Sequence, residues 1–131
     1  MPKATPFIEK TGLSLAAYFW AIFCTLSLAL LSWTPGPYMV RSGVLSGHEE
    51  HFLAYFLSAL SISKTQRRTT PSLWTGLALA VYAGLLEIGQ LYVPGRHPAV
   101  EDFCASAVGA FVGVAMASVL GRLVETLDAK L

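Results

Sequence analysis

The segment 13–33 contains no charged side chain, and this feature most constrains what the chain can fold into. About 20 apolar residues, each rising ~1.5 Å along a helix, cross the hydrocarbon core of a bilayer. A secretory signal peptide has a shorter apolar stretch of roughly 7–15 residues, and no Ala-x-Ala cleavage pattern follows Trp33. The sequence therefore predicts a retained membrane-spanning helix.

The composition excludes several classes of protein. Charged residues make up 13% of the 131 residues and hydrophobic residues 54%, whereas a soluble domain is about 25% charged. So few charges cannot cover the surface of a soluble globule, which argues against an ordinary cytosolic enzyme. The net charge of +1 provides no basic surface for nucleic acid. Membrane lipids are the expected surroundings and partners.

Three further segments predict helices, which gives an all-α fold in a single domain covering residues 1–131. The segments 72–93 and 98–120 are long enough to span a bilayer, and the short interval between them predicts a tight hairpin. The segment 50–64 gives only about 22 Å of helix. An interfacial or re-entrant helix is one interpretation of it. A short spanning helix, completing a four-helix transmembrane bundle, is the interpretation we favour.

Basic residues predict the orientation of this bundle. Those expected on one side are Lys3, Lys10, Lys64, Arg67, Arg68, Arg122 and Lys130. The opposite side has Arg41 and Arg96. Because basic loops stay in the cytoplasm, both termini are predicted inside and the hairpin between the third and fourth helices outside. The protein would then be a multi-pass protein of the inner (cytoplasmic) membrane.

Small residues recur at four-residue intervals in the last two predicted helices. Gly76 and Gly84 form one ridge, and Gly109 and Gly113 lie on another. Small residues let helix backbones approach closely in lipid. We interpret both ridges as helix-packing seams within the chain.

Ionisable residues inside predicted membrane helices are the candidate functional residues. Glu87 lies about 9 Å from the outer end of the third helix, where an unpartnered carboxyl is unfavourable. Three separate segments bring further polar residues to the same outer region. The predicted ligand-binding set is His51, Glu87, Gln90, Arg96, Asp102 and Ser106.

Four roles are open to this cluster. Arg96 can pair bidentately with Glu87 or Asp102 and only tie the hairpin together. The cluster can instead form a pocket for an anionic or sugar-bearing headgroup. Catalysis with His51 as base is chemically sensible, although no motif marks a nucleophile. A metal site is least favoured. One His and two acids could form a facial triad, and His48 and His97 lie on the same side, but no recognised metal-binding spacing supports it. No cofactor is expected.

The ordered set of motifs resembles the VanZ-like family of small bacterial membrane proteins. The matching pieces are the segment starting at His51, Glu87-Ile88-Gly89-Gln90, Val93-Pro94-Gly95-Arg96, Asp102, and Gly109 with Gly113. They extend over roughly residues 48–121. The family usually has Asn four residues after the Asp, where this chain has Ser106, whose side chain is shorter.

The resemblance implies a role in the cell envelope. The namesake of the family lowers sensitivity to the glycopeptide teicoplanin, so a link to glycopeptide resistance is one expectation and a general envelope function is the broader one. The leading hypothesis is a non-enzymatic protein that binds an outer-leaflet lipid or a lipid-linked cell-wall precursor, alone or with a partner membrane protein. The alternatives are a membrane-embedded hydrolase or transferase using His51, Glu87 and Asp102, and a structural or assembly subunit.

Overall fold

The computed structural model describes residues 7–39, 41–65 and 73–130, and over these residues the chain forms four helices and no strand. The helices are α1 (Phe7–Trp33), α2 (Gly47–Thr65), α3 (Leu73–Gly89) and α4 (Val100–Asp128). The all-α prediction is confirmed. Lys3, Arg67 and Arg68, on which part of the predicted orientation depends, lie outside the described residues.

Helix α2 is longer than the predicted segment 50–64. Its 19 residues correspond to about 28 Å of helix. Ser46 and Glu49 form a capping box at its start: the Ser46 hydroxyl accepts from Glu49 N over 3.3 Å, and Glu49 Oε2 accepts from Ser46 N over 2.7 Å. This reciprocal cap starts the helix three residues before the predicted position.

The boundaries of α3 and α4 also differ from the prediction. The α-helical part of α3 ends at Gly89, and a 3₁₀ turn, Gln90–Tyr92, continues it. Helix α4 begins at Val100, two residues after the approximate start expected at residue 98, because its N-cap residue Ala99 is extended. It continues to Asp128, beyond the approximate end expected at residue 120.

Three of the helices are long and apolar enough to cross a membrane. These segments are Leu15–Trp33, Leu73–Tyr92 and Val100–Asp128. Along α1, large apolar side chains such as Phe19, Phe23 and Leu30 are exposed. A surface of this kind indicates contact with lipid or with another apolar partner.

Helix α2 lies at the centre of the bundle and packs against all three other helices, most extensively against α4. Tyr55, Ala59 and Ile62 are buried on it and belong to the hydrophobic core. Its less apolar sequence, which includes the buried Ser58 and Ser63, is thereby shielded from the surroundings of the bundle.

Two glycines of α4 permit this close packing. A β-carbon on Gly109 would collide with the backbone carbonyl of Phe52, and one on Gly113 with that of Phe56. The backbones of α2 and α4 therefore meet with no side chain between them. Such close approach is typical of small-residue seams between membrane helices.

The glycines of α3 face aromatic rings of α4. A β-carbon on Gly76 would lie 2.8 Å from the ring of Phe111, and one on Gly84 would lie 3.4 Å from the ring of Phe103. The first distance leaves no room for a methyl group, and the second is ordinary tight contact. The two ridges predicted from the sequence thus lie at contacts within the chain.

The α1–α2 and α3–α4 connections meet at one end of the bundle. The backbone N–H of Gly36 donates to the carbonyl oxygen of Pro94 over 3.2 Å. Gly95 adopts a positive φ of 73°, which favours glycine. The indole of Trp33 donates to the Leu86 carbonyl over 3.2 Å. These contacts fix both connections around the polar residues at this end.

Candidate functional site

A cavity of about 230 Å³ opens at this end of the bundle. Four of the six residues predicted from the sequence line it, namely His51, Glu87, Arg96 and Asp102. The remainder of its wall is contributed by Leu28, Leu31, Ser32, Met39, Arg41, Gly47, Glu50, Ala54, Tyr55 and Leu86. The wall therefore combines ionisable groups from α2, α3 and α4 with aliphatic side chains from α1 and α3.

Glu87 is the most buried carboxylate of the site, with 7% of its surface exposed. The backbone N–H of Ala99 donates to its Oε2 over 3.1 Å, and the Gln90 amide donates to its Oε1 over 3.3 Å. Ala99 is the N-cap residue of α4, so the carboxylate also faces the positive end of that helix. Both hydrogen bonds fix the orientation of the Glu87 carboxylate.

Gln90 supports the site from behind the cavity wall. Its side chain is 1% exposed and donates to the Ser32 hydroxyl over 2.9 Å as well as to Glu87. The sequence pattern predicted Gln90 as a ligand contact. The structure instead places it between α1 and Glu87, where it fixes the carboxylate.

His51 lies between the two carboxylates of the site. Its Nδ1 is 3.9 Å from Glu87 Oε1, and its Nε2 is 3.8 Å from Asp102 Oδ2. The same Nδ1 forms a hydrogen bond of 3.2 Å with the Ser106 hydroxyl. Ser106 is 1% exposed and is not a cavity-lining residue. Like Gln90, it positions a cavity residue and does not face the cavity.

Asp102 has a second histidine partner that lies outside the predicted ligand-binding set. His48 Nδ1 lies 2.5 Å from Asp102 Oδ1. His48 and His51 are three residues apart on α2 and so share a face of the helix. That spacing is the signal that places His48 beside His51. Arg41, which precedes α2, and Glu50, on α2, also line the cavity, and neither belongs to the predicted set.

The pairing of Arg96 with a carboxylate is not found. In the described part of the chain, the ion pairs join histidines to Glu87 or Asp102, and Arg96 forms none. Its Nη1 instead contacts the sulfur of Met39, and its buried Nε has no hydrogen-bond partner within the described residues. The hydrogen-bond donors to Glu87 are instead the Ala99 N–H and the Gln90 amide.

This arrangement is suited to binding cations or anions more than to covalent catalysis. Ser106 and His51 have the contact expected of a nucleophile and its base. However, the Ser106 hydroxyl is enclosed between helices and does not reach the cavity. One nitrogen of His51 and one oxygen each of Glu87 and Asp102 lie within 4.8 Å of one another, as donors for a metal ion would.

Comparison with known proteins identifies no relative: no protein-family model, no curated protein and no solved structure matches this chain.

Proposed function

We propose that this protein is a VanZ-like multi-pass protein of the cytoplasmic membrane whose cavity binds the headgroup of an outer-leaflet lipid or lipid-linked cell-wall component. One observation carries the proposal: a single cavity combines the Arg96 guanidinium, which forms no ion pair with any described residue, with aliphatic side chains. A molecule with an anionic head and an apolar tail matches both parts of that wall.

In the proposed topology, α2 crosses the bilayer together with the other three helices. Its length of about 28 Å is close to the ~30 Å hydrocarbon core, and its central position keeps its serines away from lipid. Both termini lie in the cytoplasm, since most basic residues flank that side. The end of the bundle with Pro94 and the cavity then faces outward.

Arg96 is the proposed anion-binding residue. Its guanidinium lines the cavity, has no carboxylate partner among the described residues, and retains an unpaired Nε. A planar fork of N–H donors is suited to phosphate. Arg41 lies on the same wall and adds a second positive charge.

The size of the cavity supports a headgroup and not an entire lipid. Sites for drug-sized ligands have roughly 300–1,000 Å³, whereas this cavity has about 230 Å³. A phosphate with a small polyol or sugar unit fits such a volume. The aliphatic wall formed by Leu28, Leu31 and Leu86 would contact the first carbons of the tail.

Lipidomics of the purified protein tests this function. The full chain is extracted in mild detergent, and co-purified lipids are identified by mass spectrometry for the wild type, Arg96→Ala and Arg122→Ala. Arg122 is an exposed arginine near the opposite end of α4 and is the matched control. We expect one anionic lipid class to be retained by the wild type and the control and lost from Arg96→Ala. Equal lipid profiles for all three proteins would refute the proposal.

A further inference from the structure

The headgroup proposal does not explain how two carboxylates, those of Glu87 and Asp102, are accommodated at one site. Glu87 is buried, and its two hydrogen-bond donors, Gln90 and Ala99, are both neutral. Asp102 brings a second carboxylate to the same region, on the other side of His51. Two carboxylates in such a site require a positive charge near them.

Arg96 does not supply that charge, because it forms no ion pair with either carboxylate. His48 lies beside Asp102, so the question of a positive charge concerns Glu87, which has His51 Nδ1 at 3.9 Å. The convergence of three donor residues at this point favours a bound cation.

The donor atoms converge from three different helices. His51 is on α2, Glu87 on α3 and Asp102 on α4, and one donor atom from each lies within 4.8 Å of the others. Zinc binds at about 2.0–2.2 Å from nitrogen or oxygen. His51 lies 3.9 Å from Glu87 and 3.8 Å from Asp102, and these separations would shorten around a bound ion.

Each of the three donors is held by a further group, as metal ligands usually are. Gln90 and Ala99 fix the carboxylate of Glu87. The Ser106 hydroxyl engages Nδ1 of His51, and Nε2 lies 3.8 Å from Asp102 Oδ2. His48 holds the other oxygen of Asp102.

We infer that His51, Glu87 and Asp102 bind one divalent transition-metal ion of the zinc type. One imidazole nitrogen and two carboxylate oxygens form a donor set that zinc accepts, and three protein ligands leave a fourth position open. The three residues line the same cavity as Arg96. The inference does not depend on the proposed headgroup, because the ligands belong to the chain itself.

The test is a Zn²⁺ titration of the purified full-length protein in detergent, in competition with a chelating dye. The variants are His51→Ala, Glu87→Gln and Asp102→Asn. The matched controls are Glu101→Gln, next to Asp102 but exposed, and His97→Ala, an exposed histidine at the same end of the bundle. We expect one equivalent of Zn²⁺ for the wild type and both controls, and an affinity at least about tenfold lower for each ligand variant.

Thermal unfolding with and without Zn²⁺ provides a second readout. Zn²⁺ should raise the Tm of the wild type and of both controls but not that of His51→Ala, because ligand binding stabilises only the folded state that forms the site. If Glu87→Gln does not fold, comparison of the wild type with His51→Ala and Asp102→Asn still tests the metal site.

Three results would overturn the inference: no stoichiometric Zn²⁺ binding by the wild type, unchanged affinity in folded ligand variants, or an equal loss in the controls. Failure of the metal site is distinguishable from failure of the headgroup proposal. Arg96→Ala should bind Zn²⁺ as the wild type does, and the lipid profile of that variant is measured independently.

Discussion

The backbone N–H of Ala99 donates a hydrogen bond to Oε2 of Glu87 over 3.1 Å. This contact joins the N-cap of α4 to a carboxylate near the end of α3, across the tight connection between the two helices. The acid that the sequence marks as unfavourable in a membrane helix therefore holds the hairpin together. It does so through a backbone group that no sequence pattern reveals.

Replacing Glu87 should weaken the hairpin. Hydrogen bonds to a charged acceptor contribute about 1.5–3 kcal/mol each. Because an amide retains one acceptor oxygen, we expect Glu87→Gln to lower the free energy of unfolding by about 1–3 kcal/mol and Glu87→Ala to lower it further. Thermal unfolding in detergent measures both. Glu101→Gln, at an exposed carboxylate of α4, should leave the Tm unchanged, and an equal effect there would contradict the role given to Glu87.

Arg96 should contribute little to stability through Glu87. A broken buried ion pair costs about 3–5 kcal/mol, but Arg96 has no such pair among the described residues. We therefore expect a double-mutant cycle of Arg96→Ala and Glu87→Gln to give a coupling energy below about 0.5 kcal/mol. A coupling of several kcal/mol, with rescue of Arg96→Ala by Glu87→Gln, would instead support an ion pair between Arg96 and Glu87.

Gly109 should not tolerate a side chain. A β-carbon there collides with the Phe52 carbonyl, and overpacking of this kind typically costs about 1–3 kcal/mol. Gly121 lies on the same helix and has open space around it, so Gly121→Ala should be neutral or stabilising by up to about 1 kcal/mol. The difference in Tm between Gly109→Ala and Gly121→Ala checks the α2–α4 packing directly.

Labelling with an impermeant thiol reagent in intact cells tests the proposed orientation. In a background with Cys24 and Cys104 replaced, Arg67→Cys should stay unlabelled and His97→Cys should react. The expectation follows from the greater number of basic residues on the proposed cytoplasmic side. Labelling at position 67 without permeabilisation would contradict the proposed topology.

The helices, which depend on the pattern of apolar residues, could be predicted from the sequence. Contacts made by backbone groups could not. Apolar length predicted the helices, and the depth of Glu87 indicated that it needs partners. Arg96 was one possible partner, with Glu87 or Asp102 as its acceptor, whereas the geometry of the α3–α4 connection brings Ala99 N to the Glu87 carboxylate. Gln90 follows Glu87 by less than one turn and also donates to Ser32 on α1, a contact between distant segments that no local spacing indicates.

The start of α2 is encoded in the sequence by a capping box. Ser46 and Glu49 have the spacing of a capping box, which begins the helix at Gly47. The earlier start places His48 on the helix, one turn before His51. The second histidine of the site follows from that boundary.

The hydrogen bond from Gly36 to Pro94 also has a consequence for how the protein is made. The ribosome delivers the loop before α2 well before it delivers the turn before α4, so the first loop has no docking partner while only the N-terminal half has been made. His51 is likewise made before Glu87 and Asp102. The cavity is therefore completed last, when α3 and α4 pack against α2, and a chain arrested before residue 94 would carry the histidine without its pocket.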